Sequence, residues 1–136
     1  MKEVLNFLKG TGPFYIATVD GDQPKVRPFA FFMEFEEKLY FATNETSNVY
    51  QQFQTNPKFQ VSVIGENMKW VRITGKANFD SRPEVLEAAA VAWPQIFGNY
   101  KKNLNSNPNF KPVFFFVENG DAIFYNNREQ TGSIKL

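Results

Sequence analysis

Apolar residues recur at helical spacing in a few short stretches of the chain. Elsewhere they alternate with polar residues or run together briefly, so strands are expected to dominate. In residues 1–9, Val4, Leu5 and Leu8 share one side and Gly10-Thr11-Gly12-Pro13 ends the segment, which predicts a short docking helix. Residues 14–19 are β-branched and aromatic, Asp20-Gly21-Asp22 is a turn signal, and residues 25–33 resume an extended pattern interrupted by Pro28. That sequence predicts a hairpin. A charged turn at residues 34–38 leads to a third strand, Leu39-Tyr40-Phe41-Ala42-Thr43.

A second helix is predicted directly after it. Thr43-Asn44-Glu45-Thr46-Ser47 offers hydroxyl and amide side chains suited to capping, Val49, Tyr50 and Phe53 follow at helical spacing, and Asn56-Pro57 ends the segment. Residues 59–64 and 69–79 form a further hairpin pattern around Gly65-Glu66-Asn67, and Gly75 inside the later strand marks a bulge or a close approach. Ser81-Arg82-Pro83-Glu84 has the form of a capping box with proline near the first helical position, and it opens an alanine-rich helix ending at Trp93-Pro94. Residues 100–112, rich in Asn, Lys and Pro, read as a surface loop. Residues 113–117 and 122–125 flank Asn119-Gly120, which predicts a closing hairpin with its turn there. Residues 126–136 carry no clear pattern.

Composition narrows the chemistry. At 136 residues the chain suits one domain, taken as 1–136, with the mostly antiparallel strands closing into a β-barrel with a few helices. Charge is nearly balanced and interleaved, so no footprint for nucleic acid or acidic lipid stands out. No apolar run approaches the ~20 residues that span a bilayer, and the first residues lack a signal-peptide core; a soluble, cytoplasmic protein is expected. Cysteine and histidine are both absent. Disulfides, thiolate chemistry and Ser-His or Cys-His triads are thereby excluded, and a metal site would have to use oxygen ligands alone. An enzyme built from this chain would borrow an organic cofactor. The sixteen Phe, five Tyr and two Trp, each able to bury roughly 150–250 Å², suggest aromatic surface left over for a flat ligand or a second subunit.

Two features fit an anionic group. Arg27 is a lone long cation within Lys25-Val26-Arg27-Pro28-Phe29, which reads either as a solvent-facing arginine or as an anion contact. About 16–20 residues later the segment from Thr43-Asn44 to Ser47-Asn48 joins a strand to a helix, and its N–H groups and hydroxyls suit either ordinary capping or an anion.

These residues also resemble a known family. Lys25-Val26-Arg27-Pro28-Phe29, Leu39-Tyr40-Phe41-Ala42-Thr43-Asn44, Ser47-Asn48-Val49, Asn56-Pro57, Lys69-Trp70-Val71-Arg72-Ile73-Thr74-Gly75, and Pro94 with Tyr100 are similar, in this order, to the pyridoxamine 5′-phosphate oxidase-like, FMN-binding split-barrel proteins. The resemblance implies a six-stranded antiparallel split barrel, a homodimer, and FMN held at the subunit interface. It further implies that Arg27 contacts the phosphate, that Pro28 and Phe29 line the ring, that Ala42, Thr43 and Asn44 border the flavin, and that Ser47, Asn48 and Val49 close over the phosphate. Trp70 and Tyr100 are implied as interface positions near the ring.

The chain departs from the oxidases proper, which carry a lysine five residues after the arginine and an Arg-Lys pair after the serine. Phe32, Asn48 and Val49 occupy those positions here. Each absent cation forgoes a charge-assisted hydrogen bond of about 1.5–3 kcal/mol, so either the helix start and hydroxyls compensate or the flavin is held loosely. The basic C-terminal signature that grips pyridoxal phosphate is also missing, so vitamin B6 oxidation is not expected. The leading expectation is an FMN-dependent oxidoreductase acting on a small substrate. A non-catalytic flavin-binding or sensing module and a deazaflavin-dependent reductase are the alternatives. An aromatic groove for single-stranded nucleic acid is disfavoured by the balanced charge.

Overall fold

A computed structural model describes residues 1–99 and 108–136. The order is helix α1 (Lys2–Lys9), strands β1 (Phe14–Asp20), β2 (Gln23–Phe29), β3 (Phe32–Phe35) and β4 (Lys38–Asn44), helix α2 (Asn48–Thr55), strand β5 (Lys58–Ile64), a 3-10 turn (Glu66–Met68) and strand β6 (Lys69–Phe79). Helices α3 (Pro83–Ala92) and α4 (Pro94–Phe97) and strands β7 (Pro112–Asn126) and β8 (Glu129–Lys135) complete it. The strands form one antiparallel sheet ordered β2-β1-β5-β6-β7-β4-β3, with β8 added to β7.

That sheet is strongly rolled. Three strands separate β1 from β4 in the order, so a flat sheet would hold them about 19 Å apart at roughly 4.8 Å per step. The Phe14 and Phe41 rings instead lie 5.3 Å apart across the interior. The path is a split barrel, with the edge strands β2 and β3 left unpaired to each other.

Alternation along β4 and β7 divides their side chains between two cores. Leu39, Phe41, Phe115 and Val117 enter the barrel with α1 and α2 against it, while Tyr40, Phe114 and Phe116 face the opposite side beneath α3 and α4. Within the barrel Phe115 meets the rings of Phe41, Phe53, Phe59 and Phe79; truncating it to alanine would cost about 3–5 kcal/mol. All sixteen phenylalanines sit in or against one of these cores, so the aromatic surplus is structural in the first place and is not reserved for a ligand.

The mostly β antiparallel barrel agrees with expectation, but the sheet has eight strands where six were implied. Residues 25–33 are two strands, because the chain turns between Phe29 and Phe32 and β3 pairs with β4 instead of β1. The predicted Asn119-Gly120 turn is also corrected: β7 runs straight through it. A two-residue hairpin of that kind needs both residues at positive φ, and only Asn119 takes one. Its register shift falls opposite Gly75, where a Cβ would stand 2.5 Å from Val117, so the glycine does mark a close approach. The reversal lies after Asn126, where Asn127 is at φ 55° and Asn126 pairs with Glu129, and the patternless residues 129–135 become β8.

Candidate functional site

Arg27 stands on the edge strand β2, where Pro24 and Pro28 are tolerated because an edge needs no complete ladder. Cross-strand pairing of Ile16 with Arg27 and Thr18 with Lys25 turns the guanidinium to the inner face of the sheet. There Nη1 donates to Thr18 Oγ1 at 2.7 Å, to the Lys25 carbonyl at 3.2 Å and to the Ile16 carbonyl at 3.4 Å, and Nη2 donates to Gln52 Oε1 at 2.8 Å. The Thr18 hydroxyl also bonds Gln52 Oε1. Every one of these acceptors is neutral. Among the described residues no carboxylate forms an ion pair with Arg27, and burial pushes the guanidinium below its ordinary value. The arginine is half-buried and its charge is uncompensated, an arrangement that favours an anion arriving from outside.

It faces an open cleft of about 550 Å³ between the β1–β2 hairpin and α2, lined in part by Asp20, Lys25, Asn48, Gln51 and Gln52. Helix α2 begins here. Ser47 caps it by accepting the Tyr50 N–H at 3.1 Å, as its sequence predicts, and shares a 2.9 Å hydrogen bond with Thr43. Asn48 is exposed in the cleft beside Arg27, so two of the residues singled out from sequence are brought together. Val49 is not available in the same way: its side chain is buried in the barrel core, and only its backbone can meet an anion.

A second cleft of about 370 Å³ lies near the same β4–α2 junction, lined by Ala42, Thr43 and Asn44 with Phe31, Phe97, Asn109, Phe110 and Pro112. The Asn44 carboxamide is engaged, donating to the Asn109 carbonyl at 3.1 Å and accepting from the Lys111 N–H at 2.7 Å. Pro28 is exposed and Phe29 half-buried against Phe14. Trp70 lines neither cleft. It stacks on Tyr125 at 4.1 Å, donates to the Asn127 carbonyl at 2.7 Å and borders a separate hollow with Phe7. Tyr100 lies outside the described residues.

A different polar cluster ties β3, β4, β6 and α3 together. Arg82 holds the Asp80 carboxylate through Nε and Nη2 and reaches Glu36 at 2.9 Å, while the buried Tyr40 hydroxyl donates to Asp80 at 2.8 Å. Asp80 is held down to about 2, chiefly by the Arg82 hydrogen bonds. Tyr40 is pushed up to about 12 by burial and then by Asp80. Asp80 also accepts the Arg82 N–H just ahead of α3, whose N-cap residue is Arg82 with no side-chain cap bond, so the expected Ser81 capping box does not form.

Thr18, Gln51 and Gln52 were missed in the sequence. Gln52 lies four residues after Asn48 and so shares its helix face, and Thr18 is a polar residue in phase with Ile16 on an inward-facing strand, but neither signal says that the two side chains meet. No three or more of the described acidic residues group to hold a metal, and no described helix is long and apolar enough to cross a membrane.

Residues 1–119 match the family model described as pyridoxamine 5′-phosphate oxidase. A solved NimC/NimA family protein from Clostridium acetobutylicum is 35% identical, covers 100% of this chain and 92% of its own, and superposes with a TM-score of 0.86. General Stress Protein 26 from Bacillus anthracis shares the fold at 15% identity, with coverage of 99% and 97% and a TM-score of 0.67. A Clostridium acetobutylicum protein related to general stress protein 26, of the pyridoxinephosphate oxidase family, does so at 12%, with 99% and 93% covered and a TM-score of 0.66. No curated protein matches.

Proposed function

The chain belongs to the pyridoxamine 5′-phosphate oxidase family, and from that premise we propose that it is an FMN-binding oxidoreductase passing hydride or electrons between the flavin and a small substrate. The observation that carries this reading is Arg27: a half-buried guanidinium bonded only to neutral groups and facing a cleft that Lys25 and Asn48 also line. In the proposal Arg27 binds the phosphate, with Lys25 adding charge and the start of α2 adding N–H donors. Pro28, Phe29, Ala42, Thr43 and Asn44 border the ring, and Ser47 and Thr43 fix the junction between the two. FMN, when bound, supplies the redox chemistry, which a chain without histidine or cysteine otherwise lacks.

A homodimer is part of the reading. Tyr15, Val26 and Ile64 are 56%, 68% and 59% exposed and, by register, share the outer face of β1, β2 and β5 with Trp70. A second copy covering that face would bring Trp70 into an interface. A cytoplasmic setting suits a chain with no cysteine.

Denaturing the purified protein and identifying the released chromophore tests the cofactor. FMN is expected; a deazaflavin would redirect the assignment, and no chromophore together with no uptake of added FMN would contradict it. Steady consumption of NADH or NADPH by the loaded protein separates an enzyme from a flavin-binding module. Sedimentation of wild type and Val26→Asp tests the dimer, which the substitution is expected to dissociate.

A further inference from the structure

We propose that Thr18 and Gln52 are positioning residues that hold Arg27 by neutral acceptors so that its whole positive charge stays available to the phosphate of a flavin nucleotide. This rests on the FMN reading above and names how the site achieves anion preference without the lysines of the oxidases proper.

A half-buried arginine is ordinarily matched by a carboxylate, which fixes its direction and cancels its charge. Arg82 in the same chain, although more exposed, has two carboxylate partners, Asp80 and Glu36. Around Arg27 the same task falls to a hydroxyl, a carboxamide and two carbonyls. Thr18 is buried, 2% exposed, and it does not line the cleft. Its hydroxyl receives Arg27 and bonds Gln52, so Thr18, Gln52 and Arg27 form a closed triangle. The triangle restrains the guanidinium while adding no negative charge. Replacing Gln52 by glutamate keeps the shape and the acceptor oxygen but turns the pair into an ion pair, cancelling the charge the ligand would meet. Replacing Thr18 by valine keeps the volume, leaves the cleft untouched and removes only the restraint.

The test is titration of FMN and of riboflavin into the apoprotein, followed by flavin fluorescence, with inorganic phosphate as competitor and thermal unfolding as the folding control. Gln52→Glu is expected to weaken FMN by about ten- to hundredfold and to abolish competition by phosphate, with riboflavin unchanged. Thr18→Val is expected to weaken FMN several-fold, again without affecting riboflavin. A Gln52→Glu protein that folds and binds FMN as wild type does, or variants that weaken FMN and riboflavin equally, would overturn the proposal while leaving the FMN reading intact. Wild type binding neither flavin overturns that reading itself.

Discussion

Two arginines divide this molecule. Arg82 sits at the start of α3, bound to Asp80 and Glu36 and, through Asp80, linked to Tyr40. Arg27 sits on β2 among neutral acceptors, beside an open cleft. The first has its charge cancelled within the protein and braces the turn between β3 and β4 against the end of β6. The second has its charge left over. Neutral acceptors answer the guanidinium's hydrogen bonds but leave the desolvation of its charge without a counter-charge. The contrast separates an arginine paired within the fold from one that, in the proposed reading, meets a ligand.

Removing each arginine in turn should break the contrast in opposite directions. Arg27→Ala is expected to weaken FMN by about 1.5–3 kcal/mol, or ten- to hundredfold, with riboflavin affinity unchanged; fluorescence titration reads this directly. Arg82→Ala should leave both flavin affinities as they are and lower the unfolding midpoint.

Acid should weaken the Arg82 region. Asp80's value of about 2 in the folded protein lies below its ordinary 3.8, so its stabilising contribution is complete above about pH 4. That contribution is lost as the pH falls toward about 2. Unfolding followed across that range should show a slope that Asp80→Asn reduces. Tyr40→Phe, which removes the hydroxyl from the same cluster, is expected to cost about 1 kcal/mol in chemical denaturation and to leave FMN binding alone. The smallest effect concerns the turn that Glu36 shares with Glu37, where both residues adopt positive φ, 51° and 63°. Glu37→Gly relieves one strained residue without touching the ion pair, and should stabilise by roughly 0.5–1 kcal/mol.

That turn was legible from its run of charges at residues 34–38, but its backbone conformation was not. Hairpin turns with two positive-φ residues are ordinarily announced by glycine or asparagine, and Glu36-Glu37 carries neither, whereas Asn119-Gly120 carries both and makes a bulge opposite Gly75. Tertiary pairing between β6 and β7 outweighs the local signal there. Signals whose whole cause is local fared better: Ser47 caps α2 and Gly21 takes a positive φ in the β1–β2 turn. At the candidate site, Arg27 and Asn48 stood out because a strand cation and a helix start are local features. Gln52 and Thr18 did not, since their role exists only once α2 lies across β1. The same holds for the contact of Arg82 with Glu36, 46 positions away, whereas Asp80 lies two residues before it.

The most direct measurement is a crystal structure of the protein with FMN bound. The phosphate should lie within hydrogen-bond distance of the Arg27 guanidinium at the start of α2, with Thr18 and Gln52 still in contact with that guanidinium. A phosphate seated elsewhere, with Arg27 bonded only to Thr18, Gln52 and the two carbonyls, would contradict the account.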